Sequence, residues 1–324
     1  MLMDGLRIYS KNDVLKLVNV RTGETKLGER VEVISSLEDL NASGARFVLL
    51  GIPEDIGVRA NYGLPGASTA WNPALKAFLN TQSNRFLDGS ELIVLGHFDF
   101  TDPKNDSIDG LQQKVSEIDE AVSACIVKIV SAGKIPIVIG GGHNNAYPII
   151  KALSMAKKQA VDIINIDAHA DLREPNGRHS GNSFSYALKD GYMSKYGIFG
   201  LHQSYNNAAI LKEIEANEKI QAVFFDDILL KDSLLSAWDQ LINDFETPGL
   251  EIDLDSIENV LSSAATPSGF SLNDIRRLIL GSSKRFAYLH ICEGAAEMAD
   301  GRTSSLTGKS IAYLITDFLK SYTL

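Results

Sequence analysis

The sequence has few features that would place the protein in a membrane or outside the cell. Two cysteines, Cys125 and Cys292, occur in 324 residues, so disulfide bonds cannot hold a fold of this size together, and such usage is typical of a reducing compartment. No apolar run approaches the roughly 18 residues that cross a bilayer, and residues 1–5 lack the basic and apolar segments of a secretory signal. We therefore expect a cytoplasmic protein with no membrane partner.

Positive charge is also scarce. The chain has 31 Lys and Arg residues against 41 Asp and Glu residues, which gives a formal net charge of −10. Nucleic-acid binding depends on Lys and Arg that neutralise phosphates, so we expect no nucleic acid partner. The hydrophobic content of 44% is sufficient for a large core and excludes intrinsic disorder.

Short apolar runs rich in β-branched residues recur along the chain and predict strands. Most of these runs are nearly continuous rather than alternating, as in strands that are covered on both faces. Between them, apolar residues recur at three- and four-residue spacings, which predicts helices. The expected strands cover residues 46–51, 91–95, 135–139, 161–166, 196–201, 222–225, 250–254 and 286–291, and the clearest helices cover 111–132, 146–157, 272–280 and 305–319.

This alternation predicts a three-layer α/β/α fold with a central, mainly parallel sheet of about eight strands. We expect a polar N-terminal extension over residues 1–40 and a single α/β domain over residues 41–324, since no Pro- or Ser-rich linker interrupts the pattern. Sites in open parallel sheets lie beyond the carboxyl ends of the strands. The residues that directly follow each apolar run are therefore the candidates for function.

The third run is followed by a glycine-rich loop, Gly140-Gly141-Gly142-His143. Glycines permit a sharp turn and a close approach to another group. A nucleotide-binding role is weakly supported, because the spacing matches neither a dinucleotide fingerprint nor a P-loop and no Lys-Ser/Thr pair follows. His143 is the candidate ligand of this loop, although a histidine taken alone is more often structural.

The fourth run ends in Asp167, His169 and Asp171, which alternate with alanines. Alternation along a strand places the three side chains on one side, and carboxylates at the end of a buried strand are costly without a cation. A fully extended chain would separate the first and last of them by about 13 Å. We therefore expect either a bend after His169 or a division of the three ligands between two metals.

The seventh run ends in Asp253 and Asp255, which also share one side of the chain. Taken alone, this pair suits metal ligation and a helix-capping turn equally well. Together with Asp167 and Asp171 it brings the carboxylate charge to −4, which is strongly repulsive at short range unless it is neutralised. Two divalent cations balance that charge, and an oxygen-rich set with two imidazoles favours Mn²⁺ over Zn²⁺. Such a pair can activate one shared water for hydrolysis.

The three motifs resemble the signatures of the ureohydrolase superfamily, which includes arginase, agmatinase and formiminoglutamase. These signatures are Gly-Gly-x-His, Asp-Ala-His-x-Asp and x-Asp-x-Asp, found here at residues 140–143, 167–171 and 251–255. The resemblance implies an arginase-like domain, a homo-oligomer and two Mn²⁺ ions per chain. The metal ligands it implies are His143, Asp167, His169, Asp171, Asp253 and Asp255.

Further details resemble the formiminoglutamase branch. Gly142 stands where arginases more often have aspartate, and the segments 55–63, 171–173 and 180–184 are similar to that branch. The resemblance implies hydrolysis of a linear amidine, N-formimino-L-glutamate, to glutamate and formamide. The alternatives are an arginase- or agmatinase-type hydrolase that releases urea from a guanidino substrate, and a metal-binding homologue without catalytic activity.

The resemblance also implies roles for residues around the metals. Asp171 would hydrogen-bond the attacking oxygen, and Glu293 would pair with the amidinium of the substrate. Substrate contacts are expected from Arg173, Asn182 and Arg59, for which the structural alternatives are a surface ion pair, a turn and a loop anchor, respectively.

Two departures from the family pattern bear on catalysis. Arginases and agmatinases have a proton-shuttling histidine where this chain has Ser180, and His179, one residue earlier, is the candidate substitute. The Asp-Pro pair that the family has after the x-Asp-x-Asp motif is absent. We expect Arg178 to be solvated rather than functional and His290 to face a helix.

Overall fold

The computed structural model describes residues 5–323. These residues form nine strands: β1 (Leu6–Ile8), β2 (Phe47–Gly51), β3 (Leu92–Phe98), β4 (Ile135–Ile139), β5 (Val161–Ile166), β6 (Met193–Leu201), β7 (Ile220–Phe224), β8 (Gly249–Asp253) and β9 (Leu289–Cys292). They also form twelve α-helices: α1 (Lys11–Leu15), α2 (Leu27–Arg30), α3 (Ile56–Ala60), α4 (Trp71–Leu79), α5 (Ile108–Ser131), α6 (Ala146–Lys157), α7 (Ser183–Lys189), α8 (Ala208–Ala216), α9 (Phe225–Lys231), α10 (Leu234–Asn243), α11 (Leu272–Leu280) and α12 (Thr307–Ser321).

The strands form one sheet in the order β1-β3-β2-β4-β9-β8-β5-β6-β7. Among the strand pairs of this sheet in residues 5–323, only the pairing of β1 with β3 is antiparallel. The predicted fold class is confirmed, with one strand more than the eight or so expected. The additional strand is β1, whose three residues lie in the N-terminal region; the expected boundary between residues 40 and 41 stays a prediction.

Helices cover both faces of the sheet. The helices α4, α10, α11 and α12 pack with one face, and α5, α6 and α7 pack with the other. Helix α5 shows why, because Val115, Ile118, Val122 and Ile126 form an apolar stripe that is fully buried. The central strands are buried on both faces, which explains their nearly continuous apolar sequences.

The four strands at the centre of the sheet, β4, β9, β8 and β5, are neighbours and run parallel. Their carboxyl ends therefore open on the same edge, where residues 140–143, 293–294, 254–255 and 167–171 follow them and Asp253 is the last residue of β8. This arrangement brings together motifs that are far apart in the sequence. Within residues 5–323, no helix is long and apolar enough to span a membrane.

Candidate functional site

The glycine-rich loop after β4 packs closely against the buried carboxylate of Glu54. Gly141 has a φ of +77°, and a Cβ atom there would lie 2.3 Å from Asn145 Nδ2 and 2.8 Å from Glu54 Oε1. Glu54 Oε1 accepts hydrogen bonds from the amides of Asn144 and Asn145. The loop is thus shaped by contact with Glu54, and it delivers His143 to the edge of the sheet.

The ring of His143 faces three carboxylates. His143 Nδ1 lies 3.2 Å from Asp167 Oδ2, 3.0 Å from Asp171 Oδ2 and 3.1 Å from Asp253 Oδ2. The ring is fully buried and packs edge-on against Phe184, while Ser183 Oγ donates to the His143 carbonyl oxygen. One ring nitrogen carries at most one proton, so it cannot satisfy three carboxylates at once.

A second group lies beside the first and shares one residue with it. His169 Nδ1 lies 3.2 Å from Asp255 Oδ2 and 3.6 Å from Asp167 Oδ1. In each group, the candidate ligand atoms lie within 4.8 Å of one another, and Asp167 belongs to both. The backbone also bends, because Asp171 has a φ of +49°. The structure therefore combines both expected solutions, a bend and a division between two groups.

The two groups fit divalent cations. Asp255 Oδ1 and, despite its three carboxylate neighbours, His143 Nδ1 are buried and form no hydrogen bond of suitable geometry among the described residues. Such atoms are costly unless another group satisfies them. Burial raises the pKa of Asp255 to about 6, and burial together with the charge of Asp255 raises the pKa of Asp253 well above its usual range. The donors are mostly carboxylate oxygens, and this chemistry suits Mn²⁺.

Beneath His143 lies a buried polar group that was not expected from the sequence. Glu251 Oε2 lies 2.5 Å from His290 Nδ1 and 3.6 Å from His143 Nε2, and Tyr288 donates to Glu251 Oε1. The expectation that His290 faces a helix is wrong, since its ring turns toward Glu251. A signal was present, because these two polar residues interrupt adjacent apolar strands and are register partners.

Cys292 also lies close to this group. Its sulfur lies within 4.8 Å of the candidate ligand atoms of His143 and Asp253. Burial raises the pKa of the Cys292 thiol well above its usual range, so the protonated thiol is the favoured form. A carboxylate-rich site for a hard cation has no need of a sulfur ligand.

A cavity of about 360 Å³ lies above the two groups. Glu293 is buried on its wall with a φ of +61°, and its Oε1 accepts a hydrogen bond from the His143 backbone N–H. Arg173 lies on the rim, is exposed and forms no ion pair with any described residue. The other lining residues are Val58, Asn61, Gly63, His169, Asp171, Ser180, Tyr205, Asn206, Asn207, Ile210, Asp253, Asp255, Ser263 and Ala264.

Of the six residues predicted for catalysis or substrate binding, three do not line this cavity. Arg59 forms ion pairs with Asp102 and Asp106, as expected if it anchors a loop instead of binding substrate. Asn182 is buried, and its amide donates to the Gly177 carbonyl oxygen, as expected if it stabilises a turn instead of binding substrate. His179 Nδ1 accepts a hydrogen bond from the Gly181 N–H, while Ser180 reaches the cavity in its place. Roles for these residues in binding or catalysis stay predictions.

The expectation that Arg178 is solvated is wrong. The side chain is 5% exposed, and its Nε lies 2.7 Å from Asp119 Oδ2. It also donates to the Asn144 carbonyl oxygen and to Asn182 Oδ1. Arg178 therefore links α5 to the turn that carries His143.

Comparison with known protein families shows to which family this chain belongs. The family model described as "Arginase family" matches residues 45–316. The chain belongs to the arginase family. This arginase-family protein is 30% identical over 243 residues to a formimidoylglutamase of Salmonella schwarzengrund. The aligned region covers 72% of each chain. The protein is 29% identical to the formimidoylglutamase of Streptococcus pyogenes serotype M3, covering 69% of this chain and 70% of the relative.

Solved structures show the same fold. Formiminoglutamase of Trypanosoma cruzi with Mn²⁺ superposes with a TM-score of 0.76 and 20% identity, covering 92% of this chain and 98% of that one. Formimidoylglutamase of Bacillus subtilis superposes with a TM-score of 0.77 and 16% identity, covering 94% of each chain. These neighbours share the three-layer α/β/α architecture.

Proposed function

We propose that this arginase-family protein is a Mn²⁺-dependent hydrolase that converts N-formimino-L-glutamate to L-glutamate and formamide. The observation that carries the proposal is the convergence of His143, His169 and four aspartates beneath a cavity with an unpaired arginine at its rim. The names of the curated relatives support the amidine as substrate. We also propose that the protein is cytoplasmic, as its low cysteine content favours, and that it forms a homo-oligomer, as the resemblance to ureohydrolases implies.

The proposed metal site holds two Mn²⁺ ions. His143, Asp171 and Asp253 would hold one ion, and His169 and Asp255 would hold the other, with Asp167 contributing to both. When bound, such ions supply Lewis acidity and lower the pKa of a nearby water. The second role matches the reaction, because water must add to the C=N carbon of the amidine.

Residues of the chain would then guide the proton. Asp171 lines the cavity and would accept a proton from the attacking water at a carboxylate oxygen. The same proton is needed by the nitrogen of the departing glutamate as the C–N bond breaks. As the C=O bond forms, the remaining hydroxyl proton of the added water also passes to the departing nitrogen. The amidinium and one water thus yield formamide and the ammonium form of glutamate, and both transferred protons come from that water. His179 stays a prediction as an alternative donor of a proton to the departing nitrogen.

Recognition of the substrate would use two charges of opposite sign. The carboxylate of Glu293 faces the cavity and would pair with the planar amidinium, whose N–H groups match two carboxylate oxygens. Arg173 would hold a carboxylate of the substrate, because its guanidinium is free for a bidentate contact. The two residues lie on the wall and the rim of one cavity, which suits a substrate that is cationic at one end and anionic at the other.

A substrate panel tests the proposal. We expect the Mn²⁺-loaded protein to release formamide from N-formimino-L-glutamate and to release no urea from L-arginine or agmatine. Arg173→Gln is expected to raise KM with little change in kcat, because it removes a contact that substrate and transition state share. Urea release would favour the guanidino hydrolase instead, and no turnover of any panel member would refute the substrate assignment.

One observation favours a second function, that of a metal-binding protein without hydrolytic activity. Ser180 lines the cavity at the position where arginases and agmatinases have a proton-shuttling histidine, and His179 Nδ1 accepts a hydrogen bond from the Gly181 N–H. Metal content measured together with turnover separates the two functions. Two Mn²⁺ per chain without amidine hydrolysis would support this second function.

A further inference from the structure

His169 is the most exposed of the six candidate metal ligands. Its side chain is 28% exposed, whereas that of His143 is fully buried. Burial alone therefore does not fix the His169 ring, and a ligand needs a fixed ring because neighbouring groups set its orientation. The contacts that hold His169 come from residues 202–206, which follow β6.

Asn206 holds the backbone on both sides of His169. Its Oδ1 accepts a hydrogen bond from the Ala170 N–H at 3.0 Å, and its Nδ2 donates to the Ala168 carbonyl oxygen at 3.2 Å. The same Nδ2 donates to the His202 carbonyl oxygen at 2.8 Å. One amide side chain thus connects the two residues that flank His169 to the loop after β6.

Tyr205 holds the ring itself. Its ring is stacked on the imidazole of His169, with centroids 5.4 Å apart and an interplanar angle of 15°. The imidazole of His202 stacks on Tyr205 as well, at 5.0 Å and 16°. Tyr205 is therefore an aromatic neighbour of both imidazoles, and such pairs add to the stability of a packed arrangement.

The hydroxyl group of Tyr205 fixes the far end of that ring. Its oxygen lies 3.0 Å from Thr266 Oγ1. Thr266 donates its single hydroxyl proton to the Ser268 carbonyl oxygen, so Tyr205 is the donor in the shared hydrogen bond. Thr266 is buried, and Tyr205 thus connects His169 to the loop that follows β8.

We propose that Tyr205 and Asn206 are positioning residues for His169 and so determine occupancy of the second metal group, formed by Asp167, His169 and Asp255. This inference rests on the proposed metal centre, although it does not depend on the substrate. Neither residue is offered as a ligand. The first group, which contains His143, has its own buried supports in Phe184 and Ser183, so we expect it to be independent of Tyr205.

The test measures Mn²⁺ binding rather than turnover. Metal-free wild-type protein and the variants Tyr205→Leu, Tyr205→Phe and Asn206→Ala are titrated with Mn²⁺ by equilibrium dialysis. Electron paramagnetic resonance then distinguishes an exchange-coupled pair from an isolated ion. Tyr313→Leu is the matched control, because Tyr313 is 50% exposed and Tyr205 is 43% exposed, while Tyr313 lies on α12, outside the cavity lining.

We expect wild-type protein to bind two ions. Tyr205→Leu and Asn206→Ala should bind the first ion normally and the second about 10- to 100-fold more weakly, as is usual when support of a metal ligand is lost. At limiting Mn²⁺ their spectra should show the isolated ion. Tyr205→Phe keeps the stacked ring and should bind the second ion within about threefold of wild type, since it loses one hydrogen bond. Tyr313→Leu should match wild type.

The possible failures are distinguishable. Wild-type protein that binds fewer than two ions would overturn the proposed metal centre itself. Two ions in the wild type and unchanged affinities in Tyr205→Leu and Asn206→Ala would overturn only the positioning role. Equal weakening of both ions, or weakening in Tyr313→Leu, would show a general loosening of the fold and would also overturn it. Melting curves of the metal-free proteins show whether each variant is folded before it is titrated.

Discussion

Replacement of Arg178 by methionine tests whether a buried ion pair supports the turn that carries His143. Arg178 and Asp119 have side chains that are 5% and 4% exposed, and the guanidinium donates to both carboxylate oxygens. Removing one partner of a buried pair leaves the other charge uncompensated, which costs about 3 to 5 kcal/mol. The hydrogen bonds to the Asn144 carbonyl oxygen and to Asn182 Oδ1 are lost as well, at about 1 kcal/mol each.

Equilibrium urea unfolding of the metal-free protein, followed by circular dichroism, measures this cost. We expect Arg178→Met to lower the free energy of unfolding by at least about 3 kcal/mol. The double variant Arg178→Met with Asp119→Leu should regain part of the loss, because no carboxylate is then left unpaired. The control is Arg302→Met, whose ion pair with Asp300 is about half exposed and should contribute less than about 1 kcal/mol.

Two results would refute the reasoning about Arg178. A loss below about 1 kcal/mol in the single variant would place the pair among weak surface pairs. A double variant less stable than the single one would show that the unpaired Asp119 carboxylate does not destabilise the protein when Arg178 is removed. In either case, the support of the His143 turn must come from other contacts.

Three further predictions concern other parts of the site. Glu54→Gln should destabilise the protein by about 2 kcal/mol, because the new NH₂ group meets the amide donors of Asn144 and Asn145; urea unfolding measures the change, and an unchanged midpoint would contradict it. Burial lowers the pKa of His179 to about 4, so its neutral form stabilises the fold above pH 6.5 and this contribution is lost as the pH falls. His179→Asn should therefore reduce the pH dependence of unfolding between pH 6.5 and 5 by up to about 1.4 kcal/mol per pH unit, and identical slopes would refute this. Asp253→Asn should raise the melting temperature of metal-free protein by relieving carboxylate repulsion and should abolish most of the stabilisation by Mn²⁺, about 2.7 kcal/mol at a hundredfold excess over Kd; a lower metal-free melting temperature would contradict the repulsion.

The strand ends explain why the proximity of six side chains could be predicted from the sequence. Apolar runs identified β4, β5 and β8, and parallel strands in one sheet place their carboxyl ends on one edge. The positions of His143, Asp167 and Asp253 at the carboxyl ends of these strands then made them candidate metal ligands. The strand β1 was missed because three residues in a polar region have no readable periodicity.

Contacts between distant segments could not be predicted in the same way. Arg178 and Asp119 are 59 positions apart, and no local pattern distinguishes a buried arginine from a solvated one. Tyr205 gave no signal either, because its role depends on stacking with His169 and on the position of Thr266 in another loop. Such residues are identified by geometry, after the fold has brought their segments together.

Diffraction from crystals grown with Mn²⁺ tests the central claim most directly. Anomalous difference maps collected at the manganese edge locate each ion independently of activity. We predict two peaks per chain, one beside His143 and the other beside His169, with Asp167 adjacent to both. A map with no peak at these residues, or with manganese bound only elsewhere on the chain, would contradict the account.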